Sequence, residues 1–423
     1  MAASPADLLL AVLGALPYDA EVAVVRRQPG QWVVGVAPDA RVEASGAAAL
    51  DRLDRLGVGG GWWAGWLAYD LGRAVERVER RRPDDLGLPD VNLARFDARL
   101  VIGRAGLRIE GDGASRALLA AAARQARTVG EPVGPAGAGR AGVAGFASSL
   151  NQREFEAGVR DIIELIRAGE CYQVNLTRRL TADVAADPLA LFATLVRHHP
   201  APHAALLRFG DRAVVSASPE RFLRRRHDEV ETRPIKGTAA QRAVLERSVK
   251  DRAENVMITD LARNDLGRIC RPGSVVVPAL CAAEPHPGLW HLVSTVTGRL
   301  RPGVGTGTLV RATFPPASVT GAPKPRVLQA IEDLEPVTRG VYCGAVGWID
   351  ADSAALELNV AIRTFQITGG RTHLGVGGGI TADSDPAAEW RETELKAARL
   401  LAVASASEQA SAGALSGRIG VPA

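Results

Sequence analysis

Lysine is nearly missing from a chain that has no shortage of positive charge. Of its 51 basic residues only four are Lys, at 236, 250, 324 and 396, and all four lie after residue 235. Such a chain meets its general need for charge with Arg. It keeps Lys where a compact ammonium, or a neutral amine able to attack carbon, is required, unless codon bias alone left these few. Cysteine is also scarce. Cys171, Cys270, Cys281 and Cys343 stand far apart with no C-x-x-C spacing, which excludes a zinc ribbon or a disulfide framework and leaves them as buried small residues. Long apolar runs are absent too. Although 47% of the residues are hydrophobic, Gly, Pro and charge interrupt them every few positions, and no window approaches the roughly 20 apolar residues of a membrane helix. Met1 to Gly14 has no basic leader and contains Asp7, against a secretory signal, so the cytoplasm is the expected location. No charge of one sign dominates: 47 acidic residues are interleaved with the basic ones. Even the run Arg77 to Arg82 contains Glu79 and reads as a solvated helix end, which argues against a nucleic-acid partner.

The 423 residues suffice for a large core. From 19 to 110, short apolar runs such as Ala20–Val25 and Gln31–Val36 alternate with Gly and Pro and predict antiparallel strands. The aromatic stretch Gly59–Asp70 reads as core, since no basic residues interleave its rings. Residues 1–128 thus form an N-terminal region and 129–142 a Gly/Pro-rich linker. The motif-dense region follows at 143–405, and 406–423 is a flexible tail. Helices are expected at 151–168, 189–198, 243–264, 323–334 and 386–404. Strands are expected at 171–180, 204–209, 213–217, 340–349, 355–365 and 372–380. Strands in runs with irregular helical insertions indicate α+β rather than a doubly wound parallel sheet.

Several groups in this region can carry chemistry. Asp251 and Glu254 stand at i, i+3 on one predicted helix, and Glu389 and Glu392 on another, with Lys396 one turn further and Asp385–Pro386 as its cap. If these faces meet they offer hard oxygen ligands for Mg²⁺; if not, they are solvated helix faces. Glu220 follows a predicted strand and Pro219, a place for a catalytic carboxyl whose pKa a dry pocket would raise, or for an ordinary turn residue paired with Arg221. Gly375–Ile380 permits close backbone approach to a ligand, or a tight turn, and lacks the spacing of a nucleotide-binding loop. His291 lies in an apolar run where a core imidazole is common.

Taken together, Gly169–Leu176, Ser218–Phe222, Lys250–Asn255, Asp260–Arg268, His291–Ser294, Thr320–Lys324, Ala361–Thr364 and Glu392–Thr393 resemble the chorismate-utilising enzymes, the anthranilate synthase component I-like family. The resemblance covers Gly169 to Leu400 densely and Gly59 to Arg73 more thinly. It implies an α+β fold with two large, mostly antiparallel sheets around the active site. It implies Mg²⁺ held by Glu254 and Glu392, with Asp251 acting through water, and Glu220 as the general acid that helps the C4 hydroxyl leave. Tyr342, Arg363, Gly377, Gly378, Gly379 and Lys396 match positions that bind substrate carboxylates, and Thr320, Gly321 and His291 line the site.

Residue 236 divides the family. Members that make anthranilate usually carry Ala in this segment, and members that place nitrogen at C4 carry Lys. A desolvated lysine can be neutral and attack C2 as the C4 hydroxyl departs; ammonia then enters at C4 and expels it. The resemblance therefore implies amination of chorismate to 4-amino-4-deoxychorismate, for 4-aminobenzoate and folate, with anthranilate formation as the alternative. The continuation Ala239–Arg242 departs from the family pattern. Nothing in the chain resembles a glutaminase's nucleophile elbow, so a separate glutamine amidotransferase subunit is expected to supply ammonia.

Overall fold

A computed structural model describes residues 4–28, 30–128, 145–286 and 288–416. The linker expected at 129–142 lies outside them. The expected boundary at 406 falls inside the last helix, Pro386–Ser416.

Two large sheets face each other, and each described strand pairing is antiparallel. The first has 11 strands, in the order Gly321–Ala322, Gln173–Ala182, Arg371–Ile380, Thr364–Thr368, Arg212–Ser218, His203–Phe209, Val22–Gln28, Gln31–Val36, Ala98–Gly103 and Gly106–Gly111. Ala147–Ser148 also pairs on Gln173–Ala182. The second has 10, in the order Ile235–Ala239, Leu289–Arg299, Glu229–Arg233, Arg221–Arg226, Ala355–Val360, Ala345–Asp350, Trp62–Leu67, Val91–Phe96 and Ala40–Ala44. Val276–His286 is paired on Leu289–Arg299. Residues before 128 supply strands to both sheets, so the two regions of the chain are interleaved.

Period-two alternation sends one set of side chains from each sheet into the space between them. Ala23, Val25, Val33, Leu207 and Phe209 from the first meet Trp62, Trp66, Val346 and Trp348 from the second. Trp66 stacks on Phe209 with ring centroids 5.8 Å apart and planes at 20°. Trp62–Leu67 is buried throughout, as its aromatic content predicts. The outer face of the first sheet, through Val24, Val34, Leu206 and Val215, is covered by helices Pro5–Gly14, Arg116–Thr128, Pro188–His198 and Pro386–Ser416.

Local signals place most of the expected helices well. Gln152–Arg167 starts at a capping box, Asn151 with Glu154, and buries Phe155, Val159, Ile162 and Ile163 at helical spacing. The helix expected over 243–264 is instead two, Arg242–Arg247 and Val249–Gly267. The cause is Ser248, whose hydroxyl accepts from Asp251 N at 3.2 Å and starts a new helix. The strand expected at 355–365 is likewise divided, because Arg363 takes a left-handed φ of 52°. Arg221–Arg226 and Glu229–Arg233 have too much charge to read as strands. In the sheet that charge is paired across neighbours, Arg221 and Arg224 with Glu231, and Arg221 with Glu357.

Candidate active site

The strand Arg212–Ser218 ends at Pro219, which has no amide hydrogen for the ladder. Ser218 Oγ donates to Val360 O at 2.6 Å and accepts from Glu220 N at 3.2 Å, pinning the turn. Glu220 is therefore held inward, 3% exposed. Its carboxylate accepts from Ile235 N at 3.4 Å and bonds Ser318. Burial pushes this carboxyl up to about 7, against the opposing pull of Ser318 and Lys236.

Lys236 lies on the edge strand Ile235–Ala239, one residue beyond that amide. The register shifts between Ile235 and Thr238, and Gly237 adopts a φ of 82°. A Cβ there would stand 2.8 Å from Asp251 Cβ, so only glycine lets the helix Val249–Gly267 come this close. The Lys236 side chain is 12% exposed, with Nζ 4.0 Å from Glu254 Oε2. Burial drives the amine toward its neutral form, helped by Lys396 and opposed by Glu254 and Glu220.

Opposite it, the two predicted carboxylate faces meet. Glu254 comes from Val249–Gly267, and Glu389 and Glu392 from Pro386–Ser416, whose first turn Asp385 caps through Ala388 N at 2.8 Å. Burial raises the Glu254 carboxyl despite Lys236 and Lys250. Glu389 is also raised by burial, and accepts from Ser384 Oγ at 2.7 Å. Burial alone would raise Glu392 as well, but Lys396 at 2.7 Å, Lys250 and Lys236 together bring it below the usual carboxylate range. Three of the four lysines thus converge on this cluster. The fourth, Lys324, makes a buried ion pair with Asp265 at 2.9 Å.

Among the described residues no group of three or more His, Cys, Asp or Glu could hold a metal by itself. Glu254 and Glu392 offer oxygen donors without thiolate or imidazole. That donor set fits Mg²⁺, which takes one or two carboxylates and keeps its remaining positions for water and an anionic ligand.

The segment Gly377–Gly379 lies in the strand Arg371–Ile380, close to the one expected at 372–380, rather than in the tight turn its glycines also allowed: it pairs residue for residue with Thr177, Leu176 and Asn175. Its glycines serve close approach from both faces. A Cβ at Gly379 would lie 2.1 Å from Gln173 Nε2 and 3.3 Å from Lys236 Nζ. One at Gly378, on the opposite face, would lie 3.2 Å from Glu389 Oε2 and 3.9 Å from Lys396 Nζ. Lys396 also donates to Gly377 O at 2.8 Å.

The other predicted residues surround this centre at different depths. His291, 5% exposed, shares a hydrogen bond of 3.0 Å between Nδ1 and Thr238 Oγ1, while its Nε2 is buried without a hydrogen-bond partner. Burial, with Arg363 and His286 nearby, lowers it to about 4, so the ring is neutral. Gly321, with a φ of 141°, lies against the Gln173 carbonyl, and Thr320 O accepts from Asn175 N at 2.7 Å. Tyr342 packs its ring over Gly375, further along the glycine strand from Lys236. The sequence reading did not single out Gln173, which is 1% exposed with Oε1 lacking a partner and touches both glycine segments. A polar amide next to Val174, alternating with Asn175 before Leu176, was its only signal.

A carboxyl that burial pushes up to about 7 and an amine that burial drives toward its neutral form thus share one enclosed polar site with facing carboxylates and the glycines of a strand. The chain belongs to the chorismate-binding enzymes, whose family model, described as chorismate binding enzyme, matches residues 16–402. Among curated proteins it is 38% identical over 347 residues to aminodeoxychorismate synthase component 1 of Klebsiella aerogenes, covering 80% of this chain and 76% of that one. It is 35% identical over 381 residues to anthranilate synthase component 1 of Pseudomonas putida, covering 83% and 76%. Among solved structures, anthranilate synthase component I from Streptococcus pneumoniae TIGR4 superposes with a TM-score of 0.78 at 27% identity, over 88% of this chain and 92% of that one. The fold is that of anthranilate synthase component I. No described helix is long and apolar enough to cross a membrane.

Proposed function

We propose that this enzyme aminates chorismate at C4 to give 4-amino-4-deoxychorismate, a precursor of 4-aminobenzoate and folate, in the cytoplasm. Ammonia comes from a separate glutamine amidotransferase subunit. The observation that carries the reading is Lys236, a buried amine beside Glu220, whose carboxyl burial pushes up to about 7. Relatives bearing the name aminodeoxychorismate synthase support it.

Both groups are favoured in their reactive forms by burial. Neutral Lys236 attacks C2, the two conjugated ring double bonds both shift, and the C4–O bond breaks as Glu220 gives its proton to the departing hydroxyl, which leaves as water. The new C2 ammonium returns a proton to Glu220. Ammonia then adds at C4, the ring double bonds shift back, and the C2–N bond breaks as Glu220 protonates the nitrogen, releasing the neutral amine of Lys236; the C4 ammonium returns a proton to Glu220, and the net change is ammonia in and water out. Glu254 and Glu392 would hold Mg²⁺, which supplies charge neutralisation for a substrate carboxylate. Lys396, Arg363 and the amides of Gly377–Gly379 orient the remaining anionic groups, with Tyr342, Thr320 and Gly321 lining the pocket. His291, a neutral ring with a free Nε2, is placed to receive or return a proton at the substrate.

The test is to incubate the protein with chorismate, Mg²⁺ and an ammonium salt and to identify the product by mass. Aminodeoxychorismate is expected from the native enzyme, and Lys236→Ala should lose it. Unchanged product and rate in that variant would overturn the covalent route. Fluorescent anthranilate as the main product would favour the second reading, for which the Pseudomonas putida relative speaks. Glu254→Ala and Glu392→Ala should each raise the Mg²⁺ concentration needed for half-maximal rate.

A further inference from the structure

Lys250 is the one lysine of the cluster that the amination route leaves without work. It stands in the first turn of Val249–Gly267. There a cation opposes the helix dipole, so the position does not serve the helix. Its Nζ lies 4.0 Å from Glu254 Oε1 on its own helix and 3.9 Å from Glu389 Oε1 on Pro386–Ser416. The ammonium thereby bridges the two elements that carry the oxygen donors. Its side chain is 55% exposed and unbranched, free to swing into water. The other two ammonium groups are held more firmly: Lys236 is enclosed, and Lys396, though 46% exposed, bonds Gly377 O at 2.8 Å and Glu392 at 2.7 Å. A divalent cation arriving at Glu254 meets Lys250 on the same carboxylate.

On the reading that Glu254 and Glu392 hold the metal, we propose that Lys250 is a displaceable internal counter-ion that keeps the cation affinity of the free enzyme low. The metal then binds firmly only when an anionic substrate enters with it. Lys rather than Arg suits this, because a single point charge releases a carboxylate more readily than a bidentate fork.

The full chain is titrated with Mn²⁺ alone, an oxygen-preferring octahedral probe, and free Mn²⁺ is counted by electron paramagnetic resonance. Lys250→Met should bind about fivefold more tightly than wild type, the scale of two partly exposed ion pairs. Lys250→Arg should bind no more tightly than wild type. Melting in EDTA should be lower for Lys250→Met, with the deficit closing as Mn²⁺ is added; Lys250→Gln serves as a second variant. Equal or weaker Mn²⁺ binding by Lys250→Met and Lys250→Gln overturns the inference while leaving the metal site standing. If wild type binds no Mn²⁺, or Glu254→Gln binds it as wild type does, the metal reading itself falls and this inference with it.

Discussion

Glu220 shows how one side chain sets conflicting demands on stability and activity. The unfolded chain ionises this carboxyl near 4.5, and the folded protein holds its proton to about 7. The folded state therefore binds more protons, and stability falls as pH rises through that window and stays lower above it. Glu220→Gln removes the ionisation. Its melting temperature should match wild type at pH 4 and exceed it by a few degrees at pH 8, with up to about 3 kcal/mol at stake. Its activity should move the other way, dropping about 10²- to 10⁴-fold with loss of a proton donor. The wild-type kcat/KM should decline above pH 7, a limb that the Gln variant lacks. The position of Glu220 was legible in Ser218-Pro219-Glu220, because a proline closes the strand. Its burial was not, since that comes from Ile235, Ser318 and Val360, brought from far along the chain.

Among the elements, the glycine strand Arg371–Ile380 divides the site, and substitutions there should separate by what each new methyl meets. Gly379→Ala pushes on Gln173 Nε2 and crowds Lys236 Nζ, both ends of side chains. It should fold, with kcat reduced about 10²-fold by misplacement of the amine. Gly377→Ala meets the Leu176 carbonyl at 2.4 Å and disturbs the strand pairing itself. Loss of melting temperature, rather than of turnover per folded molecule, should dominate there. The run of glycines was conspicuous in the sequence, but that Gln173, Lys236 and Glu389 would be the side chains crowding it was not. The strand expected at 372–380 is present although glycine weakens strands in isolation; nine paired positions with Gln173–Ala182 hold it. The carboxylate helices were readable from i, i+3 spacing, but that their faces meet depended on tertiary packing.

At the scale of the molecule, residues before 128 and after 145 share both sheets. Val22–Gln28 pairs with His203–Phe209, and Trp62–Leu67 with Ala345–Asp350. A chain beginning at residue 145 would expose both partners as open hydrophobic edges, so it should be recovered as aggregate, unlike the full chain, in a sedimentation assay. This interleaving was hidden in the sequence: alternation predicts strands but not which distant strand each one joins. The scarcity of lysine, by contrast, was plain at the outset, and the fold gives it a practical meaning. Reductive ¹³C-methylation of this protein would place labels on four ε-amines besides the terminal amine. Three of those four nuclei sit among Glu254, Glu389 and Glu392. A nearly empty spectrum would thus report almost exclusively from the site, following Lys236, Lys250 and Lys396 as separate resonances while cation and substrate are added.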